Sequence, residues 1–115
     1  MLGAVGRKLN RDTGERKALF RDLVSALILH GRVETTVPRA KETKKIADGL
    51  VDLASRGDLH ARRQVRRLLT DERAIRRLFV DVAPKAQKGR GGHTRITRTR
   101  VRRGDAVELA LVELV

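Results

Sequence analysis

Four segments of the chain carry apolar residues at every third or fourth position, which is the spacing of an amphipathic helix. The most regular of them follows Asp12, has Glu15 three positions further on as in a capping box, and ends before Gly31. The spacing predicts helices over residues 13–30, 38–55 and 59–69, and a fourth helix that Thr70 or Asp71 caps and Pro84 stops.

The polar positions of these helices indicate which sides face solvent. In the second helix we expect four polar residues to point outward: Lys41, Lys44, Lys45 and Asp48. Gly57 suits a left-handed end of that helix, and Asp58 suits the cap of the next. A step of 100° per residue then places four arginines on one exposed stripe of the third helix: Arg62, Arg63, Arg66 and Arg67. Because no carboxylate follows Asp58 within that helix, phosphate binding and simple solvation both remain open for this stripe.

Alternating apolar and polar positions predict strands. Val33, Thr35 and Val37 alternate with polar residues, which indicates a short strand that ends at Pro38. From Thr94 onward, β-branched residues interleave with arginine, so we expect a second strand with one face formed by Ile96, Arg98, Arg100 and Arg102.

The last segment is apolar on both faces over residues 109–112, a pattern typical of a central strand covered by helices. Gly104 and Asp105 predict the turn that joins it to the arginine-rich strand in a hairpin. Together these elements predict one globular domain over residues 13–115, of the α/β class and α+β type, in which a three-stranded sheet packs against about four helices. A basic arm over residues 1–12 precedes it.

The charge of the chain points to a polyanionic partner. The 27 Lys and Arg exceed the 14 Asp and Glu and give a net charge of +13, more than solubility requires. The positive charge is concentrated in the amino-terminal arm and in residues 84–104, which contain eight Lys and Arg and no acid. Such a distribution is typical of an electrostatic footprint on nucleic acid.

The candidate chemistry is limited to phosphate binding. The chain has no Cys, its three His lie far apart in sequence, and the GRGG of residues 89–92 lacks the lysine of a phosphate-binding loop, so we expect no metal, cofactor, small-molecule substrate or catalysis. With neither a signal-peptide pattern nor a membrane span, we expect a cytoplasmic protein.

The few aromatic residues argue against a base-stacking single-strand binder and favour structured RNA read through its backbone. A noncatalytic DNA-binding or nucleoid protein remains the main alternative, because phosphate contacts do not distinguish the two polymers. An RNA-modifying enzyme lacks a catalytic constellation, and a membrane-attached protein would need the apolar helix faces that build the core.

Several motifs resemble one known family. GRKLNR, RKALFRDLV, LHGRVETTVPRAKE, RGDLHARR, GGHTRI and RRGDAVELALVELV occur in order over nearly the whole chain and resemble the family of bacterial large-subunit ribosomal protein seventeen. Two places differ from the usual pattern of that family: the segment before GRKLNR is not basic here, and His93 stands where a Tyr is usual.

The resemblance implies a small mixed sheet against helices, and a monomer built into the large subunit near the exit of the peptide tunnel. The implied partners are 23S ribosomal RNA and neighbouring ribosomal proteins. By matching motif, the implied RNA contacts are Arg7, Lys8, Arg11, Arg16, Lys17, Arg21, Arg62, Arg63, Arg90, His93, Arg95, Arg98, Arg102 and Arg103. The charge pattern adds Arg66, Arg67, Lys85, Lys88 and Arg100 to the predicted contacts.

Overall fold

The computed structural model describes residues 13–86 and 92–115. Its helices are α1 (Thr13–His30), α2 (Val37–Arg56), α3 (Leu59–Leu68) and α4 (Glu72–Arg77), and its strands are β1 (Arg32–Thr36), β2 (Thr94–Val101) and β3 (Glu108–Leu114). The predicted α+β fold is confirmed, and the boundaries of α1, α2 and α3 lie within one residue of those that the apolar spacing indicates. The basic arm of residues 1–12 lies outside the described residues.

Three predicted helix ends have the expected geometry. Gly57 follows α2 with a φ of 69°, and its amide donates to the carbonyl of Ala54 at 3.1 Å. Asp58 then caps α3 by accepting a hydrogen bond from the amide of Ala61 at 2.7 Å. Asp71, the second of the two candidates, caps α4 through the amide of Arg73 at 2.9 Å.

The fourth helix changes its winding along its length. After α4, the chain continues as a π-helical turn over Leu78–Val82 and a 3₁₀ turn over Ala83–Lys85. Pro84 therefore lies inside the last turn and not beyond it. Its ring is tolerated there because the first turn of a helical segment leaves its amides without partners in any case.

The three strands are antiparallel in the order β1-β3-β2, so the expectation of a mixed sheet is wrong. The hairpin of β2 and β3 and the central position of β3 are confirmed. Helices α1 and α2 pack on one face of β3, where Ala110, Val112 and Leu114 meet Leu27 and Ala47. The prediction of helices on both faces of β3 is wrong: Leu109 and Leu111 lie on the opposite face and belong to neither helix-packed cluster. Their cross-strand neighbours include Thr36 for Leu109 and Thr97 for Leu111.

A β-bulge interrupts the predicted alternation of β2. Arg98 pairs with Ala110, whereas Arg100 pairs with Leu109, so that Thr99 is an extra residue. Since neighbouring residues of β3 point to opposite faces, Arg98 and Arg100 also point to opposite faces. The single arginine face expected for β2 is therefore wrong.

Two clusters form the core. In the larger one, Phe20 and Val24 of α1 pack against Leu50 of α2, Val65 of α3 and Leu78. The smaller one lies between the helices and the sheet. None of the helices within the two described ranges has the length and apolar character that crossing a bilayer needs.

Candidate nucleic-acid interface

Four of the eight residues that line a cleft of about 500 Å³ between α3 and α4 are arginines. Its walls contain Arg62, Arg66, Glu72, Arg73, Ile75, Arg76, Phe79 and Val80. The guanidinium of Arg62 lies over the ring of Phe79, 5.5 Å from its centroid, a cation–π contact worth about 0.5 to 1 kcal/mol at an exposed site. Four arginines against one carboxylate make this cleft suited to anions, and guanidinium groups bind phosphate through two parallel hydrogen bonds.

Two of the four arginines in this cleft, Arg73 and Arg76, were not predicted from the sequence, because each helix was considered alone. They lie three positions apart on α4 on either side of the buried Ala74 and Ile75, and both are exposed, so they share the solvent-facing side of the helix. Helical spacing in the ERAIRR segment was a signal that could have found them.

The cleft contains one close ion pair. Arg66 donates to the carboxylate of Glu72 at 2.6 Å, so the carboxylate that α3 itself lacks is supplied by α4. Arg63 and Arg67 are also exposed on α3 but do not line the cleft, and no ion pair joins either to another described residue. The predicted stripe of four arginines is therefore exposed, and two of its members face into the cleft.

Four arginines of the hairpin have carboxylate partners within the protein. Arg98 contacts Glu108 at 2.7 Å, and Arg95 contacts Glu113 at 3.5 Å. Each of these pairs joins β2 to the strand beside it. The dense positive charge of residues 84–104 is thus offset in part by the acids of the partner strand.

The β-bulge brings two side chains of β2 to one carboxylate across the sheet. Thr99 donates its hydroxyl to Glu34 of β1 at 2.7 Å, and Arg100 contacts the same group at 3.2 Å. These two hydrogen bonds, first that of Thr99, hold the pKa of the Glu34 carboxyl below its ordinary value of 4.5. Burial acts in the opposite direction but is smaller. Glu34 therefore stays charged and competes with external anions for Arg100.

The turn of the hairpin contains a further pair. Arg102 donates to Asp105 at 2.5 Å, which raises the pKa of Arg102 and lowers that of Asp105. Arg103 is exposed, and no ion pair links it to the rest of the described chain. Exposed ion pairs contribute little to stability, so a phosphate can displace the internal carboxylates at small cost.

His93 is buried, in contrast to the exposed position that an RNA contact suggests. Its ring is 7% exposed, and Nε2 lies 2.6 Å from a carboxylate oxygen of Asp52. Its backbone amide donates to Asp48 at 2.9 Å, and its carbonyl accepts from the amide of Val115 at 3.0 Å. The structure thus gives His93 a role in joining α2 to the ends of the sheet.

The predicted residues of α1 differ in exposure. Lys17 is exposed, as is Lys85 after α4, whereas Arg16 is buried. Arg21 is half-buried and donates its Nε to the carbonyl of Leu68 at 3.2 Å, which ties α1 to the end of α3. Five predicted contacts lie outside the described residues: Arg7, Lys8, Arg11, Lys88 and Arg90. Within the described ranges, no three His, Asp or Glu side chains lie together in a way that would hold a metal ion.

Comparison with known proteins identifies the family of this chain. Residues 19–115 match the family described as Ribosomal protein L17. Large ribosomal subunit protein bL17 of Clostridium botulinum strain Hall is 51% identical over 109 residues, which cover 95% of this chain and 96% of that protein. The proteins of the same name from Clostridium acetobutylicum and Clostridioides difficile are 50% and 51% identical over the same shares of both chains. The chain therefore belongs to the ribosomal protein L17 family.

Proposed function

We propose that the protein is a noncatalytic structural constituent of the large ribosomal subunit in the cytoplasm and that it binds 23S ribosomal RNA. Membership of the L17 family supports the subunit and the structural role. Binding to 23S ribosomal RNA and a location near the exit of the peptide tunnel are further parts of the proposal. The partners would be this RNA and the neighbouring proteins of the subunit, with one copy of the chain in each ribosome.

The observation that carries the proposal is the excess of arginine in the α3–α4 cleft. Arg62 and Arg76 have no carboxylate partner among the described residues, Arg73 has Asp71 at 3.6 Å outside the cleft lining, and Arg66 pairs with Glu72. Charge without an internal partner favours an external anion, and binding of RNA phosphates also releases condensed counterions. The cleft would therefore bind the RNA backbone first and most strongly.

The hairpin forms the second surface of the proposal. Four of its arginines would bind phosphates in place of Glu108, Glu113, Glu34 and Asp105, so each would lose its present ion pair. A charged group with a nearby internal partner gains less from each phosphate than one without. Replacing Arg98, Arg100 and Arg102 by Gln tests this part: unchanged incorporation into subunits with unchanged salt sensitivity would remove the hairpin from the interface.

Binding to RNA and to DNA at matched salt tests the proposal as a whole. Fragments of large-subunit ribosomal RNA should bind more tightly than duplex DNA of equal length. Equal affinities would favour a general nucleic-acid binder of the nucleoid type, because phosphate charge alone would then account for binding.

A further inference from the structure

Phe79 is the only Phe, Tyr or Trp ring of the protein that a ligand can reach. The sequence contains two Phe, no Tyr and no Trp. Phe20 is 1% exposed in the core, whereas Phe79 is half-buried and lines the arginine cleft. Any stacking of an RNA base on a Phe, Tyr or Trp ring of this protein must therefore use Phe79.

The π-helical turn contributes to the placement of this ring. Leu78, the first residue of the turn, is fully buried and anchors it in the core, and Phe79 follows directly. A π turn contains more residues than an α turn, so side chains within it are displaced around the axis from their α-helical directions. Such turns are rare and occur frequently at functional sites.

Arg62 and Phe79 form a wall shared by two adjoining clefts. On one side lies the arginine cleft, with Arg66, Arg73 and Arg76. On the other side lies a smaller cleft of about 230 Å³ with largely small or apolar residues: Ala54, Ser55, Gly57, Ala83, Pro84 and Ala86. A compartment lined by arginines thus adjoins one lined mostly by small residues, and the Arg62–Phe79 pair separates them.

This arrangement matches the two parts of a nucleotide. We infer that the site binds one unpaired nucleotide of the ribosomal RNA, with its phosphate at Arg66, Arg73 and Arg76 and its base against the Arg62–Phe79 pair. The inference rests on the proposed function and deepens it. Unpaired RNA bases stack on aromatic rings and on guanidinium planes, and every base offers a flat face for this contact.

An acidic protein segment fits the site less well. Its carboxylates would pair with the arginines but would leave the Phe79 ring and the smaller cleft without a partner. The larger cleft also lies within the range of roughly 300 to 1,000 Å³ that is usual for small-ligand sites. A flat base joined to a phosphate occupies both compartments.

Zero-length ultraviolet crosslinking of isolated large subunits that contain the protein gives the first test. Trypsin releases residues 78–85 as one peptide, in which Phe79 is the only aromatic residue. We expect a nucleotide adduct on this peptide. If the protein is present in the subunits and crosslinks to RNA elsewhere but never here, the inference is wrong and the proposed function stands. If the protein is absent from large subunits, the proposed function itself is wrong.

A second test removes the base and the ring in turn. The RNA segment that carries the crosslinked nucleotide is prepared intact and with an abasic site at that position. For the wild-type protein, loss of the base should weaken binding about tenfold, as expected for one base stacked on a ring. For Phe79→Leu, which retains apolar packing, the abasic site should cost little.

The matched control is Arg63→Gln, which removes an exposed arginine of α3 outside the cleft and should retain the full abasic penalty. Unfolding in urea checks that Phe79→Leu is folded. An abasic penalty that is equal in wild type and Phe79→Leu would refute the stacking. Crosslinks from the peptide to an acidic neighbouring protein would also refute it and identify a protein as the occupant.

Discussion

Lys44 and Thr94 are fifty residues apart in sequence, and the ammonium of Lys44 donates to the carbonyl oxygen of Thr94 at 2.8 Å. Asp48 completes the junction by accepting from Lys44, from the hydroxyl of Thr94 and from the amide of His93, each at 2.9 Å. The expectation that Lys44 and Asp48 simply face solvent is wrong, because the first residues of β2 lie against this side of α2. The junction positions the hairpin on the helices.

Replacing Asp48 with Ala should destabilise the protein by about 2 kcal/mol. The change leaves the Thr94 hydroxyl and the His93 amide without their acceptor, while Lys44 keeps the carbonyl of Thr94, and unsatisfied buried donors each cost stability. The free energy of unfolding in urea, followed by circular dichroism, measures the effect. Asp81→Ala is the control, because Asp81 is exposed and should change stability by less than about 0.5 kcal/mol. Equal effects of the two changes would contradict the importance of the junction.

Replacing Gly49 inside α2 and Gly57 at the end of α2 with alanine should change the stability of the protein in opposite directions. An added Cβ meets no atom within 4 Å at Gly49 or Gly57. Gly49 lies inside the helix, so Gly49→Ala should stabilise the protein by about 1 kcal/mol. Gly57 has a φ of 69°, so Gly57→Ala should destabilise it by about 1 kcal/mol. Shifts of the same sign in thermal unfolding would show that backbone conformation does not decide these positions.

Asp58 should contribute to the acid sensitivity of the fold. The hydrogen bond from the amide of Ala61, aided by Arg56, holds its pKa below the ordinary value of 3.8. A lowered pKa in the folded state means that the contribution is fully present above about pH 4 and is lost as the pH falls through the folded pKa. Asn is a comparable cap that does not titrate, so Asp58→Asn should match wild type at pH 7 and lose less stability on acidification. Parallel pH profiles of unfolding free energy for the two proteins would contradict this.

The arginines of α4 should appear in the salt dependence of RNA binding. Replacing Arg73 and Arg76 with Gln should reduce the slope of log affinity against log salt by roughly 0.7 to 0.9 for each phosphate that the variant no longer neutralises. Binding is measured over a series of salt concentrations with large-subunit RNA fragments. An unchanged slope would place these arginines outside the interface.

Glu34 should weaken RNA binding by occupying Arg100. Glu34→Gln removes the internal anion and should tighten RNA binding about two- to fivefold, since an exposed pair is weak. Asp22→Asn removes one negative charge from an exposed position of α1 away from the cleft and controls for the general effect of net charge. If both variants bind RNA equally tightly, the Glu34–Arg100 pair does not compete with the RNA.

Local signals in the sequence predicted much of this fold, and tertiary contacts decided the rest. Gly57, Asp58 and Asp71 end or begin helices through their own backbone preferences, so they could be identified one residue at a time. The bulge at Thr99 instead depends on how β2 pairs with β3, and no property of the TRTR segment requires it. Burial of His93 likewise depends on Asp48 and Asp52, more than forty residues away.

The candidate site was also only partly predictable from the sequence. The arginine stripe of α3 follows from helical spacing within one element. The cleft does not, because it forms only where α4 brings Arg73, Arg76 and Phe79 beside Arg62. The sequence likewise showed the charge of the hairpin and the acids of its partner strand, but not which carboxylate pairs with which arginine across the sheet.

The most direct test of the account is the fraction of protein that sediments with large ribosomal subunits as the salt of the wash increases. The account predicts that the wild-type protein stays with the large-subunit peak through a high-salt wash. A variant with Gln at Arg62, Arg66, Arg73 and Arg76 should be released at lower salt. If the wild-type protein sediments away from the large subunit, or if the variant is retained equally, arginine contacts of this cleft do not hold the protein in the ribosome.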